Sequence, residues 1–191
     1  MKTPTLQNDR VALIPLQTGH FDYLLPVSKQ VDLLEYGASD VSTPDKLRAY
    51  MDDAFAKAKL GNAFPFLIYD KVQESYAGTT RFGNIDTEHK VLHIGWTWIG
   101  EDFRGSELNT HMKYLMLSYA FEQVDIEKVE FRIDERNLQS RKAVEKIGAT
   151  LEGILRKNLI VKDGFRRSSA CYGILKEEWP LLKSSIFKEL Q

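Results

Sequence analysis

The segment Trp96–Asn109 joins a strand pattern to a helix pattern through a polar turn, and this turn could bind an anion. Its sequence is Trp-Thr-Trp-Ile-Gly-Glu-Asp-Phe-Arg-Gly-Ser-Glu-Leu-Asn, and an amphipathic helix pattern follows at once. The first amides of a helix have no partner inside the helix, and the helix dipole places partial positive charge on them. We therefore predict an anion cradle at Arg104–Asn109. The alternative is an ordinary strand-to-helix connection in which Ser106 is only the N-cap.

Further polar side chains lie close to transitions between elements. Asn137 follows a strand pattern, where its amide could bond both the backbone and a ligand, or could simply cap the next helix. His93 lies on the strand before the turn, and an imidazole with an ordinary pKa near 6.5 can act as a base near neutral pH. The alternative for His93 is a half-exposed strand histidine without a chemical role. Glu101 and Asp102 are the carboxylate alternatives for a base.

The composition sets limits on function. At 191 residues the chain is long enough for one domain with a substantial core. A net charge of −1 without a long Lys/Arg run argues against nucleic-acid binding. The single cysteine, Cys171, excludes an internal disulfide, and four histidines without ligand spacing predict no metal site. Because no apolar run approaches the roughly 20 residues of a membrane span, we expect a cytoplasmic protein without a membrane partner.

The elements that must position these residues alternate as β-α-α-β-β-β-α-β-α-β-β, which predicts a mixed α/β domain. Thr43-Pro44 begins a helix that Gly61 ends. After the turn, apolar residues recur at helical spacing and predict a helix of about four turns or more. This stripe comprises Leu108, Met112, Leu115, Met116, Tyr119, Ala120 and Val124. Gly95 marks a bulge or a close backbone approach, and alternation places Trp96 and Trp98 on one face of their strand.

The two ends of the chain complete the sheet. A first strand is predicted at Arg10–Pro15. Near the C-terminus, residues 151–161 and 169–175 predict a closing hairpin across Lys162-Asp-Gly164. A last helix is expected to start near Lys176.

Taken in order, these motifs resemble the acyl-CoA half of the GCN5-related N-acetyltransferase (GNAT) superfamily, and most of all its ribosomal-protein N-terminal acetyltransferase-like (RimJ/RimL-like) branch. The resemblance is carried by the turn that starts at Arg104, by Asn137-x-x-Ser140 followed by Lys146 and Gly148, and by the order of motifs from residue 91 to residue 180. Four positions depart from the usual pattern: His93 for Glu, Glu107 for Gly, Val144 for Tyr, and Ser168 for Asp.

The resemblance implies a GNAT-like fold, a seven-stranded mixed sheet flanked by helices, in one domain over residues 1–191. Residues up to about 85 would form the substrate side, residues from about 86 to 180 would bind acetyl-CoA, and a C-terminal helix would follow. In the resembling fold, the strand that carries His93 splays from the next strand, and pantetheine fills the gap between them.

The same resemblance implies roles for single residues. Ser140 would hydrogen-bond the departing thiolate, because Val144 cannot serve as an acid, and His93 would be the base. The implied contacts with the cofactor are Trp98, Ile99, Arg104, Gly105, Ser106, Glu107, Leu108, Asn109, Asn137 and Ser140.

The function expected from these residues is acetyl transfer from acetyl-CoA to a primary amine, without a metal. The acceptor is either a protein N-terminus or a small-molecule amine. The sequence leaves open whether the chain forms a homodimer. Two alternatives remain. A non-catalytic acyl-CoA-binding or sensor module is favoured by Glu107 and Val144. A structural or interaction protein would keep the fold without the cofactor.

Overall fold

The chain, seen in a computed structural model that describes residues 4–31, 33–161 and 164–190, is built on one mixed sheet. The described residues form eight strands in the order β1-β2-β3-β4-β5-β6-β8-β7, and every neighbouring pair is antiparallel except β5 and β6. The strands are β1 (Leu6–Gln7), β2 (Val11–Pro15), β3 (Ala63–Asp70), β4 (Ser75–Asp86), β5 (Val91–Ile99), β6 (Lys128–Asp134), β7 (Thr150–Ile160) and β8 (Arg166–Leu175).

The predicted count of seven strands is wrong by one, because no signal in the sequence predicts β1. This strand pairs Leu6 with Leu13 and Gln7 with Ala12 at the edge of the sheet. Two residues are too few to show an alternation of apolar and polar side chains, so no sequence pattern marks such a strand. The mixed sheet with flanking helices is confirmed.

Five helices cover the sheet in the described part of the chain: α1 (Phe21–Ser28), α2 (Pro44–Lys59), α3 (Leu108–Ser118), α4 (Leu138–Lys146) and α5 (Trp179–Ser185). The start of α2 follows the prediction, since the Thr43 hydroxyl accepts a hydrogen bond from the amide of Lys46 at 3.3 Å. Gly61, with a φ of 74°, follows Leu60, the residue that caps the end of this helix. The predicted apolar stripe is also confirmed, although α3 passes into a turn of π-helix at Tyr119–Gln123.

The helices form two separate cores on opposite faces of the sheet. On one face α3, α4 and the C-terminal helical segment pack together, with Met112, Val144 and Phe187 in the same cluster. On the other face α1 and α2 pack through Leu24 and Met51 against the strands of the N-terminal half. The two faces of the sheet are therefore covered by different sets of helices.

The sheet opens between β5 and β6. These parallel strands share only three residue pairs, Val91 with Lys128, Leu92 with Val129, and His93 with Glu130. Beyond His93 and Glu130 the two strands separate, although β5 continues to Ile99 and β6 to Asp134. The result is a wedge-shaped gap, called the wedge below, whose two walls present unpaired strand backbone.

A bulge in β5 lies on one side of the wedge. Trp96 has a φ of +50°, and the pairing with β4 shifts register between Thr79 and Arg81. The bulge expected from Gly95 is therefore present at the next residue. The expected shared face is also found, because Trp96 and Trp98 both join the core formed with α1 and α2.

The C-terminal hairpin forms as predicted. The strands β7 and β8 pair from Thr150 and Gly173 to Ile160 and Arg166. Of the predicted turn, Lys162 and Asp163 lie outside the described residues. A single 3₁₀ turn at Lys176–Glu178 then leads into α5, in agreement with the expected last helix.

Candidate active site

The turn before α3 presents an open row of backbone donors. Within the residues described, none of the five successive amides of Gly105, Ser106, Glu107, Leu108 and Asn109 has a hydrogen-bond acceptor. Hydrogen bonds resume at Thr110, whose amide donates to the Glu107 carbonyl at 2.8 Å. Successive amides in a turn with left-handed residues form a concave nest that binds anions. The geometry therefore has the form of the predicted anion cradle.

Glu107 contributes its amide to this nest in a strained backbone conformation. Its φ is +61°, in the left-handed region where a glycine meets no steric penalty. It is the residue that caps α3, but its side chain makes no capping hydrogen bond and is exposed. The alternative in which Ser106 is the N-cap is wrong, because its hydroxyl instead donates to the Phe103 carbonyl at 2.6 Å. The Arg104 side chain is exposed at the rim of the turn.

Sequence reasoning missed a buried cation beside the wedge, on its α3 side. Lys113 on α3 is 5% exposed, and its ammonium Nζ lies 3.4 Å from Thr97 Oγ1 on β5 and 5.8 Å from the ring centre of Phe131 on β6. Burial lowers the pKa of Lys113 to about 7. It follows Leu108 by five residues, at the edge of the apolar stripe, where a lysine would ordinarily extend its amine to solvent.

Asn137 and Ser140 stand together at the start of α4. The Asn137 side-chain oxygen accepts a hydrogen bond from the Ser140 amide at 2.9 Å, so the capping role is present. This bond uses only the oxygen and leaves the amide group as a donor. Both residues are partly exposed, and the Val144 side chain, one turn further on, is buried in the core.

His93 lies at the point where β5 and β6 separate, since its pair with Glu130 is the last of the three. The imidazole is 7% exposed, with Nε2 at 2.5 Å from a Glu130 oxygen and Nδ1 at 3.2 Å from the Asn84 amide nitrogen. Burial lowers the pKa of His93, and the nearby positive charge of Arg132 acts in the same direction against the raising effect of Glu130. The ring is therefore neutral at pH 7, with both nitrogens engaged.

On the side of α1 and α2, polar groups hold the bulge in place. The Tyr50 hydroxyl donates to the Trp96 carbonyl at 3.1 Å and lies 2.9 Å from Thr79 Oγ1. The guanidinium of Arg81, which is 1% exposed, lies over the rings of Tyr50 and Trp96 at 4.9 and 4.7 Å. Sequence reasoning missed both Tyr50 and Arg81, because nothing local indicates that α2 covers this part of β4.

Trp98 and Ile99 end β5 on opposite walls. The Trp98 indole is 3% exposed and packs in the core formed with α1 and α2, whereas Ile99 packs against the core under α3. Since the Trp98 side chain points away from α3, a contact of this residue with a ligand in the wedge would come from its backbone.

Two arginines near the end of β6 contact the segment between α1 and α2 and the C-terminal hairpin. Arg136 pairs with buried Asp134 at 2.8 Å and lies 4.0 Å from the ring centre of Phe165. Arg167, also buried, donates to the Tyr36 carbonyl at 3.2 Å. These contacts join the segment between α1 and α2 to the C-terminal hairpin, so both contribute to one wall beside the wedge.

The described ranges contain neither a cluster of metal-ligating residues nor a helix suited to a membrane. No group of three or more His, Cys, Asp or Glu residues there could hold a metal ion. No helix in those ranges is both long and apolar enough to cross a membrane. Cys171 is a half-buried free thiol.

Comparison with known proteins gives one family and several relatives. The family model "Acetyltransferase (GNAT) domain" matches residues 10–150. The Bacillus subtilis (strain 168) protein called "Putative ribosomal N-acetyltransferase YdaF" is 31% identical over 136 residues, 71% of this chain and 68% of that protein. A crystal structure from T. thermophilus, described as a "putative acetyltransferase", has a TM-score of 0.89 and 30% identity, covering 100% of both chains. Mycobacterium smegmatis RimJ in complex with CoA-disulfide shares the fold, with a TM-score of 0.81 and 22% identity over 93% of this chain and 90% of that one.

Proposed function

Because the chain belongs to the GNAT acetyltransferase family, in its RimJ/RimL-like branch, we propose that it uses acetyl-CoA to acetylate the N-terminal amine of a protein. The observation that carries the proposal is the row of five open amides at the start of α3, directly beside the wedge between β5 and β6. A cradle for phosphates and a gap for an extended chain are the two features that CoA requires of a protein.

The residues of the turn fit the pyrophosphate of CoA. Amides of Gly105–Asn109 would donate to its oxygens, and the dipole of α3 adds to the attraction. In this proposal the amide group of Asn137 and the open backbone of β5 would bond the pantetheine arm. Under this proposal residues from about 86 to 180 hold the donor, and residues up to about 85 contribute the acceptor side of the single domain.

Acetyl-CoA supplies an activated acetyl thioester, and the side chains named here supply the acid–base chemistry. His93 would accept a proton from the acceptor amine at Nδ1 once the Asn84 amide releases that nitrogen, while Nε2 stays bonded to Glu130. Backbone amides beside the bulge at Trp96 would donate to the thioester carbonyl oxygen as negative charge develops on it. The Ser140 hydroxyl would donate a hydrogen bond to the sulfur as its negative charge appears.

A protein acceptor is favoured over a small amine by the relatives and by the wall beside the wedge. The B. subtilis relative is named as a ribosomal N-acetyltransferase. Beside the wedge, the half-exposed Arg136 lies over the Tyr36 ring, and this aromatic and charged surface suits a peptide more than a compact amine.

The test has two steps. Calorimetric titration with acetyl-CoA comes first, and we expect saturable binding that weakens when Gly105→Pro distorts the turn. A panel of peptide N-termini, polyamines and aminoglycosides is then incubated with the donor and analysed by mass spectrometry. Acetylation of peptide N-termini supports the proposal. Acetylation only of small amines would replace the protein acceptor, and no acetyl-CoA binding would overturn the donor assignment.

A non-catalytic acyl-CoA-binding or sensor module is the second candidate function. The observation in its favour is Glu107, whose negative charge opposes phosphate binding in the cradle and whose backbone is strained in the left-handed region. Tight acetyl-CoA binding without acetylation of any amine in the panel would favour this candidate over the enzyme.

A further inference from the structure

We propose that Lys113 is a catalytic residue whose ammonium group neutralises, and then protonates, the sulfur of CoA as it leaves the acetyl group. The proposal rests on the proposed function, because it requires acetyl-CoA in the wedge. It assigns a role that neither the family pattern nor the sequence motifs provide, and it concerns a residue of α3 rather than of α4.

The position of the amine beside the wedge carries the argument. Thr97 belongs to the part of β5 beyond the last pair with β6, and Phe131 belongs to the corresponding part of β6. The Lys113 ammonium lies 3.4 Å from the hydroxyl of Thr97 and 5.8 Å from the ring centre of Phe131. It therefore bridges the two strands from the α3 side, where they have just parted. A chain that ran through the wedge would pass directly over it.

The surroundings of Lys113 leave its charge uncompensated. Across the described ranges its one hydrogen-bond partner is Thr97, whose Oγ1 also lies 2.7 Å from Thr80 Oγ1. Thr80 in turn donates to the sulfur of Met116 at 3.7 Å. No carboxylate of the described residues contributes to the lowered pKa of Lys113, which comes from burial alone. A buried ammonium without an anion is costly, so the site is prepared for a negative charge that arrives with the ligand.

The step balances as follows. The lone pair of the acceptor amine forms the new C–N bond, the C–S bond breaks, and its electron pair stays on sulfur. The amine nitrogen loses one proton to His93 or water, and Lys113 gives one proton to the sulfur. Lys113 then regains a proton from solvent when the products leave. Lys113 thus complements Ser140, whose hydroxyl can donate a hydrogen bond but is a far weaker acid.

The experiment compares the wild-type protein with Lys113→Met and with Lys59→Met, which removes an exposed lysine at the far end of α2. Methionine keeps the length and the apolar stem of the side chain, and Lys113→Gln is a second variant if Lys113→Met does not fold. The first readout is the ultraviolet absorbance of the CoA thiolate in a stoichiometric complex, titrated with pH. The second is the dissociation constant of acetyl-CoA, and the third is kcat.

A bound thiolate raises the pKa of Lys113 above its ligand-free value, so the ammonium persists while the thiol titrates. We therefore expect the thiol of bound CoA to titrate at least about one pH unit below that of free CoA in the wild type and in Lys59→Met, because a cation lowers a thiol pKa. In Lys113→Met it should titrate like free CoA. The same variant should bind acetyl-CoA within about twofold of the wild type, while kcat falls about a hundredfold or more.

Two results would overturn the role of Lys113: an unshifted thiol in the wild-type complex, or a kcat for Lys113→Met within about threefold of the wild type. Failure of the underlying function looks different, because then the wild-type protein either binds neither CoA nor acetyl-CoA, or binds acetyl-CoA without acetylating any amine.

Discussion

At the scale of single residues, Glu107 has two separable unfavourable effects: its negative charge opposes anion binding in the cradle, and its positive φ lowers the stability of the protein. Glu107→Gly removes both, so we expect it to bind CoA about three- to tenfold more tightly at low salt. The same substitution should stabilise the protein by roughly 1 kcal/mol, because glycine accepts a positive φ without strain. Glu107→Gln is the matched control: it should share the gain in affinity but not the gain in stability. Unchanged CoA affinity in both variants would show that the carboxylate does not act on the cradle.

Asn137 offers a similar separation between a structural role and a ligand role. Asn137→Ala should cost about 1 kcal/mol of unfolding free energy through the lost cap to Ser140 and should also weaken acetyl-CoA binding. Asn137→Ser keeps a good capping oxygen but loses the amide donor, so we expect near wild-type stability with weaker binding. Chemical denaturation and calorimetry measure the two effects. If Asn137→Ser binds acetyl-CoA as the wild type does, the residue is a cap only.

The pH dependence of catalysis tests His93. Burial holds its pKa below 6.5, and the base must be neutral, so kcat/KM should fall as the pH drops through a value below 6.5. Glu130 raises this pKa, so Glu130→Gln should move the acidic limb of the profile to still lower pH. His93→Ala should abolish that limb and lower the rate. His89→Ala, at an exposed histidine, is the control and should leave the profile unchanged. An acidic limb that survives in His93→Ala would remove His93 from the mechanism.

At the scale of elements, the pairing of β4 with β5 decides the shape of one wall of the wedge. Gly78 has a φ of +145°, and a Cβ added there would lie 2.0 Å from the Trp98 carbonyl oxygen. Gly78→Ala must therefore push the strands apart, and we expect a loss of about 3 kcal/mol or more. Gly19→Ala, where a Cβ meets nothing within 4 Å, should change stability by less than about 0.5 kcal/mol. Urea unfolding of both variants makes the comparison, and equal effects would contradict the close approach.

The elements that could be predicted from sequence are those that carry their own local signals. Thr43 and Gly61 mark the limits of α2, and the stripe from Leu108 to Val124 marks α3. Neither β1 nor the π-helical end of α3 has such a signal, because a two-residue strand shows no period and a widened turn keeps the same buried face. The separation of β5 from β6 could be expected only from the family resemblance, since pairing between strands distant in sequence leaves no local pattern.

At the scale of the whole molecule, the buried Lys113 ties stability to pH. Its pKa is about 7 in the folded protein against 10.5 for an ordinary lysine, so the unfolded chain binds one more proton between these values. The contribution of Lys113 to stability is therefore unfavourable below pH 7 and fades as the pH rises towards 10.5. Lys113→Met should stabilise the protein at pH 7 by on the order of 2–4 kcal/mol, and by much less at pH 10. Denaturant unfolding at both pH values measures this, and an equal difference at the two would contradict the lowered pKa.

The site was predictable to the extent that it is built from contiguous residues. The turn from Arg104 to Asn109 and the cap at Asn137 follow from residues close in sequence. Lys113 and Arg81 do not, because each becomes a buried cation only when a distant element covers it. The sequence shows a charge at the edge of an apolar stripe or strand, and that pattern is ordinarily solvated.

The three-pair junction between β5 and β6 has a mechanical consequence. Each half of the sheet is stiffened by long antiparallel ladders, whereas the seam between them is held by few pairs and by the packing of α3. The sheet is therefore easiest to deform along the junction of β5 and β6, and an opening or closing motion would be concentrated there. The chain alone leaves strand backbone along that line without neighbours. Under the proposed function, bound CoA would supply the missing neighbour of both strands, so the sheet would be complete only in the complex and would lose that neighbour again when the product leaves.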